Sequence, residues 1–477
     1  MRVILSFVLG AGLALAAPAL RITGGAVDDQ VFQRGPGNTV DIALSGTAAD
    51  ADSEPIEVRI TRKFIPVEGW DWKVSGSVRQ DQWSAELRGV PAGGPYRIEV
   101  RVHGTTVSDS VRNVLVGDLW VLAGQSNMQG VGDLVDVEPP HELVHNFDMA
   151  DHWVVAEEPL HRLVDAVDRV HWSRNPQTKE PERFEGERLR KYIAERRKGA
   201  GLGLPFAVEM VKQMGVPIGL VSCAHGGTSM DQWNPALKDQ GGDSLYGSMV
   251  RRVREVGGKV AGVLWYQGES DANLKAAPEF QAKFERFIAA VREDFGQPNL
   301  PFYYVQIGRH VADANMAEWN LVQEGQRNAE ESAARSGMAP AVDLSLDDSI
   351  HVGTQDLKRL GRRLANLALG RTRRGPRPLS AVFGDGMVRV VFSDVNGRLT
   401  SKARIAGFSI HDASGASVPL IYKAQVDPVD GSAVLLFIGG KLPERATLRY
   451  GAGRDPYCNL NDEADMASPV FGPMAIQ

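Results

Sequence analysis

The 477-residue sequence predicts an α/β protein, a parallel sheet covered by helices on both faces, with β-sandwich-like domains on either side of it. Two observations carry that expectation. Between about Val114 and Arg374, continuous apolar runs alternate with helix-period segments, the pattern of strands buried on both faces. Before and after this stretch, branched and polar residues alternate between clusters of Gly, Pro and Asp, the pattern of antiparallel sheets.

Taken in order, residues 1–17 have the layout of a secretory signal peptide: Met1-Arg2, an apolar stretch from Val3 to Leu15, then small alanines. The expected location is therefore secreted or periplasmic. No later segment offers the unbroken apolar length of a membrane span. Residues 18–113 are expected to form an N-terminal β-sandwich domain. Val40 to Leu44, Ile56 to Ile60 and Tyr96 to Val102 alternate at period two, and Pro91-Ala92-Gly93-Gly94-Pro95 reads as a turn. Trp70, Trp72 and Trp83 lie here; aromatic residues in a sandwich fill its core more often than they stack on sugars.

Residues 114–375 are expected to be the catalytic domain. Its strands fall at Val114–Leu122, Pro217–Val221, Val260–Tyr266, Phe302–Ile307 and Ala341–Leu344. Helices are expected at Phe206 to Met214, through Phe280, Phe284, Phe287, Ile288 and Val291, at Trp319 to Arg327, and through Leu357, Leu360, Leu364 and Leu367 with Thr354 as N-cap. Residues 133–200 read as an insertion near the sheet's carboxyl edge, ending in a charged, solvated helix over Arg183 to Arg197. Past Pro376-Arg377-Pro378, residues 376–477 return to strand patterning, with clear runs at Met387 to Phe392 and Ala433 to Phe437.

Net charge is −6 with Lys and Arg dispersed, so no electrostatic footprint for nucleic acid or an anionic membrane is present, and a small or neutral ligand is expected. Cys223 and Cys458 define neither a disulfide framework nor a zinc site, and Cys223 reads as a small buried core residue. Neither His145 nor His152 is read as a metal ligand.

The chemistry-bearing residues sit after the strands. The first strand runs into Gly124-Gln125-Ser126-Asn127-Met128, which can lift a serine hydroxyl out of the sheet beside backbone N–H donors. A serine needs a base to act as a nucleophile. One is offered by Asp347-Asp348-Ser349-Ile350-His351, where a carboxylate three residues before a histidine can reach its Nδ1 and leave Nε2 for the serine. Ser126, Asp348 and His351 form a candidate triad, with Asp347 the competing carboxylate. Two further loops, Ala224-His225-Gly226-Gly227-Thr228-Ser229 and Gln267-Gly268-Glu269-Ser270-Asp271, can supply oxyanion donors.

These loops resemble the SGNH hydrolase superfamily, and within it the sialate O-acetylesterase family of carbohydrate acetylesterases. The resemblance extends to Val31-Phe32-Gln33-Arg34-Gly35 and Gly93-Gly94-Pro95-Tyr96 near the start, and to Tyr450-Gly451 and Asp455-Pro456-Tyr457-Cys458-Asn459-Leu460 near the end. It implies a three-layer α/β/α core, Ser126 as nucleophile, His351 as base and Asp348 orienting it. It implies oxyanion contacts from the Ser126 and Gly227 N–H groups plus a side chain of the third loop. The wider superfamily has Gly-x-Asn there and this chain has Gln267-Gly268-Glu269, so Gln267 is the chemically sensible donor, an ionised Glu269 being repelled by an oxyanion. Gln125, Asn127 and Glu269 are candidate substrate contacts. The implied substrate is an acetylated sugar or glycan, with sialate first and xylan or another polysaccharide as rivals. No cofactor or metal is required. A non-catalytic carbohydrate-binding protein on the same scaffold is the reading from another class.

Overall fold

The computed structural model describes residues 20–106, 108–175, 177–311 and 316–477, so the signal peptide read at 1–17 lies outside them. The chain divides into two compact units, one ending at Asp28 and resuming over Asn38–Val114, the other made of Asp29–Gly37 and Leu115–Gln477.

The first unit is an antiparallel sheet in the order Leu20–Gly24, Thr39–Ala48, Gln82–Pro91, Lys73–Arg79, Pro55–Arg62 and Gly93–Val102. The alternation read at Tyr96 to Val102 becomes strict alternation of buried and half-buried positions, as a sheet with one face on a core requires. Trp70 and Trp83 are buried in that core. Trp72 is half-buried under the guanidinium groups of Arg59 and Arg101, at 4.6 and 4.0 Å from its ring centre.

The second unit is built on a mixed sheet. Its strands are β1 (Ser108–Gly124, within this unit from Leu115), β2 (Val144–Phe147), β3 (Trp153–Val155), β4 (Ile218–Ser222), β5 (Gly262–Tyr266), β6 (Phe302–Gln306) and β7 (Ser336–Pro340). The spatial order is β3-β2-β4-β1-β5-β6-β7, parallel throughout except that β3 folds back antiparallel on β2. Every residue of β2, β4 and β5 is buried, which explains their lack of alternation. Helices α1 (Ser126–Gln129), α2 (Gly186–Glu195), α3 (Gly203–Met214), α4 (Leu245–Glu255), α5 (Phe280–Asp294), α6 (Met316–Ser332) and α7 (Thr354–Ala368) occupy the connections. The apolar stripe of α5, Phe280, Phe284, Phe287, Ile288 and Val291, is wholly buried. By contrast, α2 buries none of its residues, as its charge implies.

Three expectations need correction. The last sheet strand is Ser336–Pro340 rather than Ala341–Leu344, which follows it as a buried turn. Its small residues carry little apolar signal, and a buried ion pair fixes it instead. Glu330 accepts from the Met338 N–H at 2.7 Å while Arg377 donates to the Met338 carbonyl at 2.8 Å, and the two side chains meet at 2.6 Å. Thr354 is the first residue of α7 rather than its cap; Gly353 holds the cap position, and the Thr354 hydroxyl donates to the Asp133 carbonyl at 2.5 Å. Finally, residues 133–200 are not only a surface insertion, because β2 and β3 extend the central sheet from within them.

The end of the chain forms two antiparallel four-stranded sheets. One has the order Arg377–Gly384, Met387–Ser393, Ala433–Ile438 and Ile421–Val426; the other has Ser417–Val418, Phe408–His411, Thr447–Tyr450 and Phe471–Ala475. They share an apolar core that includes Val390, Leu436, Leu448 and Cys458. Among the described residues, no helix is long and apolar enough to cross a membrane.

Candidate active site

The strand order reverses direction at β1: the chain goes from it toward β4 and β2 on one side, and later to β5, β6 and β7 on the other. Loops leaving such a reversal diverge and open a crevice at the carboxyl ends of the strands. Ser126 stands there, immediately after β1. Gly124 makes the sharp exit possible, with φ +132° and a position where any Cβ would lie 2.2 Å from the Tyr266 carbonyl oxygen.

The loop after β7 brings the other two residues. Leu346 and Val352 bridge antiparallel, and the Asp347 N–H bonds to the His351 carbonyl at 2.8 Å, forming a closed turn. Inside it, Asp348 Oδ1 accepts the N–H groups of Ile350 and His351 at 3.0 and 2.9 Å. Its Oδ2 lies 2.8 Å from His351 Nδ1, and His351 Nε2 lies 2.9 Å from Ser126 Oγ. The competing Asp347 is turned elsewhere, accepting the Asp133 N–H at 3.0 Å. Burial acts to raise the Asp348 pKa, but the hydrogen bond from His351 and the two backbone N–H groups outweigh it and hold the carboxyl well below its ordinary range. Asp348 is therefore ionised at any ordinary pH and fixes the imidazole with Nδ1 protonated and Nε2 toward the serine.

The remaining candidates are placed less uniformly. A Cβ at Gly226 would lie 3.4 Å from Ser126 Cβ, so the second loop is against the serine. Gly226 donates its N–H to Gln129 Oε1 at 2.8 Å, whereas among the described residues the N–H groups of Ser126 and Gly227 have no acceptor. Gly227 is exposed with φ +69°. The Gln267 amide nitrogen donates to the Thr228 carbonyl of the second loop at 3.0 Å and to Asp271 Oδ2 of its own loop at 2.5 Å, so both its hydrogens are engaged. Asn127 is fully buried; it donates to Glu269 Oε1 at 2.8 Å and accepts the Val352 N–H at 3.0 Å, joining the third loop to the histidine turn. Gln125 is also buried, its Oε1 accepting from the Ser270 N–H at 3.3 Å. Glu269 keeps one oxygen, Oε2, without a partner, and burial raises its pKa against the opposing pull of its own N–H, Asn127 and His351.

Two features escaped the sequence. Lys198 Nζ lies 3.6 Å from both Asp348 Oδ2 and Asp133 Oδ1. His171 and Asp168, inside the insertion, join His225 of the second loop through Ser248 of α4. Neither stretch has a periodic or motif signal that would have marked it. Cys223 and Cys458 are both buried and unpaired, and no cluster of metal-ligating residues occurs among the described residues.

A serine whose hydroxyl meets an aspartate-bound imidazole, at the mouth of a mixed α/β sheet, defines a hydrolase of the acyl-enzyme type. Comparison with known proteins gives the particular kind. The family model described as "Carbohydrate esterase, sialic acid-specific acetylesterase" matches residues 116–370, and the chain belongs to that family; it is a carboxylic ester hydrolase acting on carbohydrates. It is 29% identical over 273 residues to a probable carbohydrate esterase of Arabidopsis thaliana, covering 53% of this chain and 90% of the relative. It is 25% identical over 265 residues to the sialate O-acetylesterase of Homo sapiens, covering 49% of this chain and 48% of that protein, so the match spans about half of the human enzyme. A carbohydrate acetylesterase from Xanthomonas citri shares the fold at TM-score 0.63 and 23% identity, over 95% of this chain and 99% of that one.

Proposed function

We propose that the chain removes O-acetyl groups from sugars through an acyl-enzyme on Ser126, and that its substrate is an O-acetylated sialic acid. The contact that carries this reading is the 2.9 Å approach of His351 Nε2 to Ser126 Oγ, across 225 positions of sequence. The sialate reading is supported by the description of the family model and by the name of the human relative. A polysaccharide acetyl ester is the rival substrate. The core is read as the three-layer α/β/α arrangement of SGNH hydrolases, with residues 114–375 catalytic, 18–113 and 376–477 accessory, and the chain exported by its first 17 residues.

In the proposed reaction His351 Nε2 takes the Ser126 proton as Oγ attacks the acetyl carbonyl. The developing oxyanion is received by the N–H groups of Ser126 and Gly227, which are worth several kcal/mol only if they are already aimed when charge develops. His351 then returns the proton to the departing sugar oxygen, and water, deprotonated by the same nitrogen, releases acetate. Gln267 acts one layer back in this scheme, holding the Thr228 carbonyl and with it the Gly227 turn.

Acetate release from acetylated sialosides, acetylated xylan and acetylated pectin tests the substrate, and the sialosides are expected to be turned over fastest. Absence of acetate from every sugar ester and from aryl acetates would replace this reading with that of a carbohydrate-binding protein.

A further inference from the structure

Beside the Gly226–Gly227 loop lies a cavity of about 200 Å³ lined by Val170, Trp172, Arg174, His225, Thr228 and Gln232, among others. That is room for about six waters, or for a polar fragment of a sugar ring. Four of its eight lining residues come from the insertion, and two, His225 and Thr228, come from the loop that touches Ser126. One polar group in it has its chemistry fixed by a chain of buried hydrogen bonds.

The chain starts at Asp168, whose carboxylate receives Arg251 at 2.8 Å. Ser248 donates its only hydroxyl proton to Asp168 Oδ2 at 2.5 Å. His171 Nε2, 3.2 Å from Ser248 Oγ, must then be the donor in that contact. His171 is buried, and that burial, with the charges of its neighbours, drives its pKa far down, so it is neutral and its Nδ1 bears a lone pair. His225 Nδ1, 3.1 Å away, supplies the proton between the two rings. Burial, reinforced by Arg174, lowers the His225 pKa to about 4, so this ring is neutral as well. Its other nitrogen, Nε2, therefore carries no proton, and among the described residues it has no partner.

We propose that His225 Nε2 is the hydrogen-bond acceptor for a free hydroxyl of the sugar in the acetyl ester, with Asp168, Ser248 and His171 acting as positioning residues that hold it as an acceptor. The inference rests on the esterase reading above and deepens it. A neutral histidine with no fixed neighbour presents either a donor or an acceptor to a ligand. This one is held to acceptor alone, so it favours a hydroxyl and rejects another acceptor such as a carboxylate or ester oxygen. Trp172, half-buried with its Nε1 donating to the Ala166 carbonyl at 2.9 Å, forms an apolar wall of the same cavity.

The test compares kcat/KM for a mono-O-acetylated sugar that keeps its other hydroxyls with kcat/KM for an aryl acetate that has none. In His225→Phe the ratio of the first to the second is expected to fall about 10- to 100-fold, the range for leaving a buried polar group unpaired, with the loss mainly in KM. Ser248→Ala removes the acceptor for His171 Nε2–H and so frees the tautomer; its ratio is expected to fall about 3- to 10-fold, and circular dichroism reads whether each variant is folded. An unchanged ratio in either folded variant, or equal loss on both substrates, would overturn the assignment while leaving the esterase reading in place. Wild-type enzyme that cleaves the aryl ester but no sugar ester would overturn both.

Discussion

Among the described residues around the central sheet, serine, histidine and aspartate come together at two places with opposite wiring. At the sheet mouth Asp348 binds the imidazole and the imidazole faces Ser126. Beneath the second loop, Asp168 takes the serine's proton directly and the imidazole donates to the serine oxygen. Ser248 thus has its lone pair answered by His171 and its proton held by a carboxylate that Arg251 already pairs, and it is 0% exposed. A nucleophile needs a base that is itself oriented by the acid. Composition is the same in both clusters; the order of the contacts separates chemistry from scaffolding.

The comparison breaks most sharply on the serines. Ser126→Ala is expected to lower kcat for acetate release about 10⁴-fold or more with the fold intact. Ser248→Ala is expected to lose less than tenfold on the same substrate. Comparable losses in the two variants would mean that the difference in wiring does not matter. The two adjacent carboxylates sharpen the point. Asp348→Asn is expected to cost about 10³- to 10⁴-fold in kcat through the wrong tautomer of His351. Asp347→Asn, whose carboxylate caps the Asp133 N–H, is expected to stay within several-fold. Steady-state rates on one aryl acetate decide both pairs.

How far the site could be read in advance follows from the same contrast. Gly124-Gln125-Ser126 and Asp348-Ser349-Ile350-His351 are short local patterns whose backbone geometry dictates where the side chains go. Strands β4, β5 and β6 were legible because buried parallel strands are unbroken apolar runs. The Ser248 relay was not, because His171 and Asp168 sit in a stretch with no period and meet α4 only through tertiary packing. Strand β7 was misplaced because Gly337, Ala339 and Pro340 carry less apolar signal than Ala341, Val342 and Leu344, while the Glu330–Arg377 pair that anchors it joins residues 47 apart. Gln267 was read as an oxyanion donor on chemistry alone; Asp271, four residues on, captures its amide.

The buried relay also has a consequence for stability. His225 is held near a pKa of about 4 and buried His161 near about 3, burial being the main cause in each, with His171 also shifted far down. An unfolded histidine takes up its proton near pH 6.5. Between that value and about 4 the unfolded chain therefore binds more protons than the folded one, so stability rises with pH across this window and is lost on acidification. Each such histidine contributes a slope of up to about 1.4 kcal/mol per pH unit there. Thermal melts are expected to give a Tm that falls steadily from pH 7 to pH 4.5, with a shallower fall in His225→Phe. A Tm independent of pH over that range would mean that the relay histidines are charged, and that the acceptor assignment is wrong.

The smallest expected effect concerns a cation near the catalytic carboxylate. Lys198 stands 3.6 Å from Asp348 Oδ2, and the two side chains are 41% and 39% exposed, although the Lys198 ammonium itself is covered and makes no hydrogen bond. A pair with partly exposed side chains, 3.6 Å apart and without a hydrogen bond between them, contributes about 1 kcal/mol or less and is screened by salt. Asp348 is already held by three hydrogen bonds, from His351 and two backbone N–H groups, so the lysine adds to an orientation that is otherwise set. Lys198→Ala is accordingly expected to lower kcat two- to fivefold at low ionic strength, with the difference from wild type closing by about 0.5 M salt, where the Debye length is well below 8 Å. A loss greater than about 50-fold, or one insensitive to salt, would assign Lys198 to the substrate rather than to the carboxylate. The insertion would then reach the reacting ester from the aspartate side of the triad as well as from the His225 side.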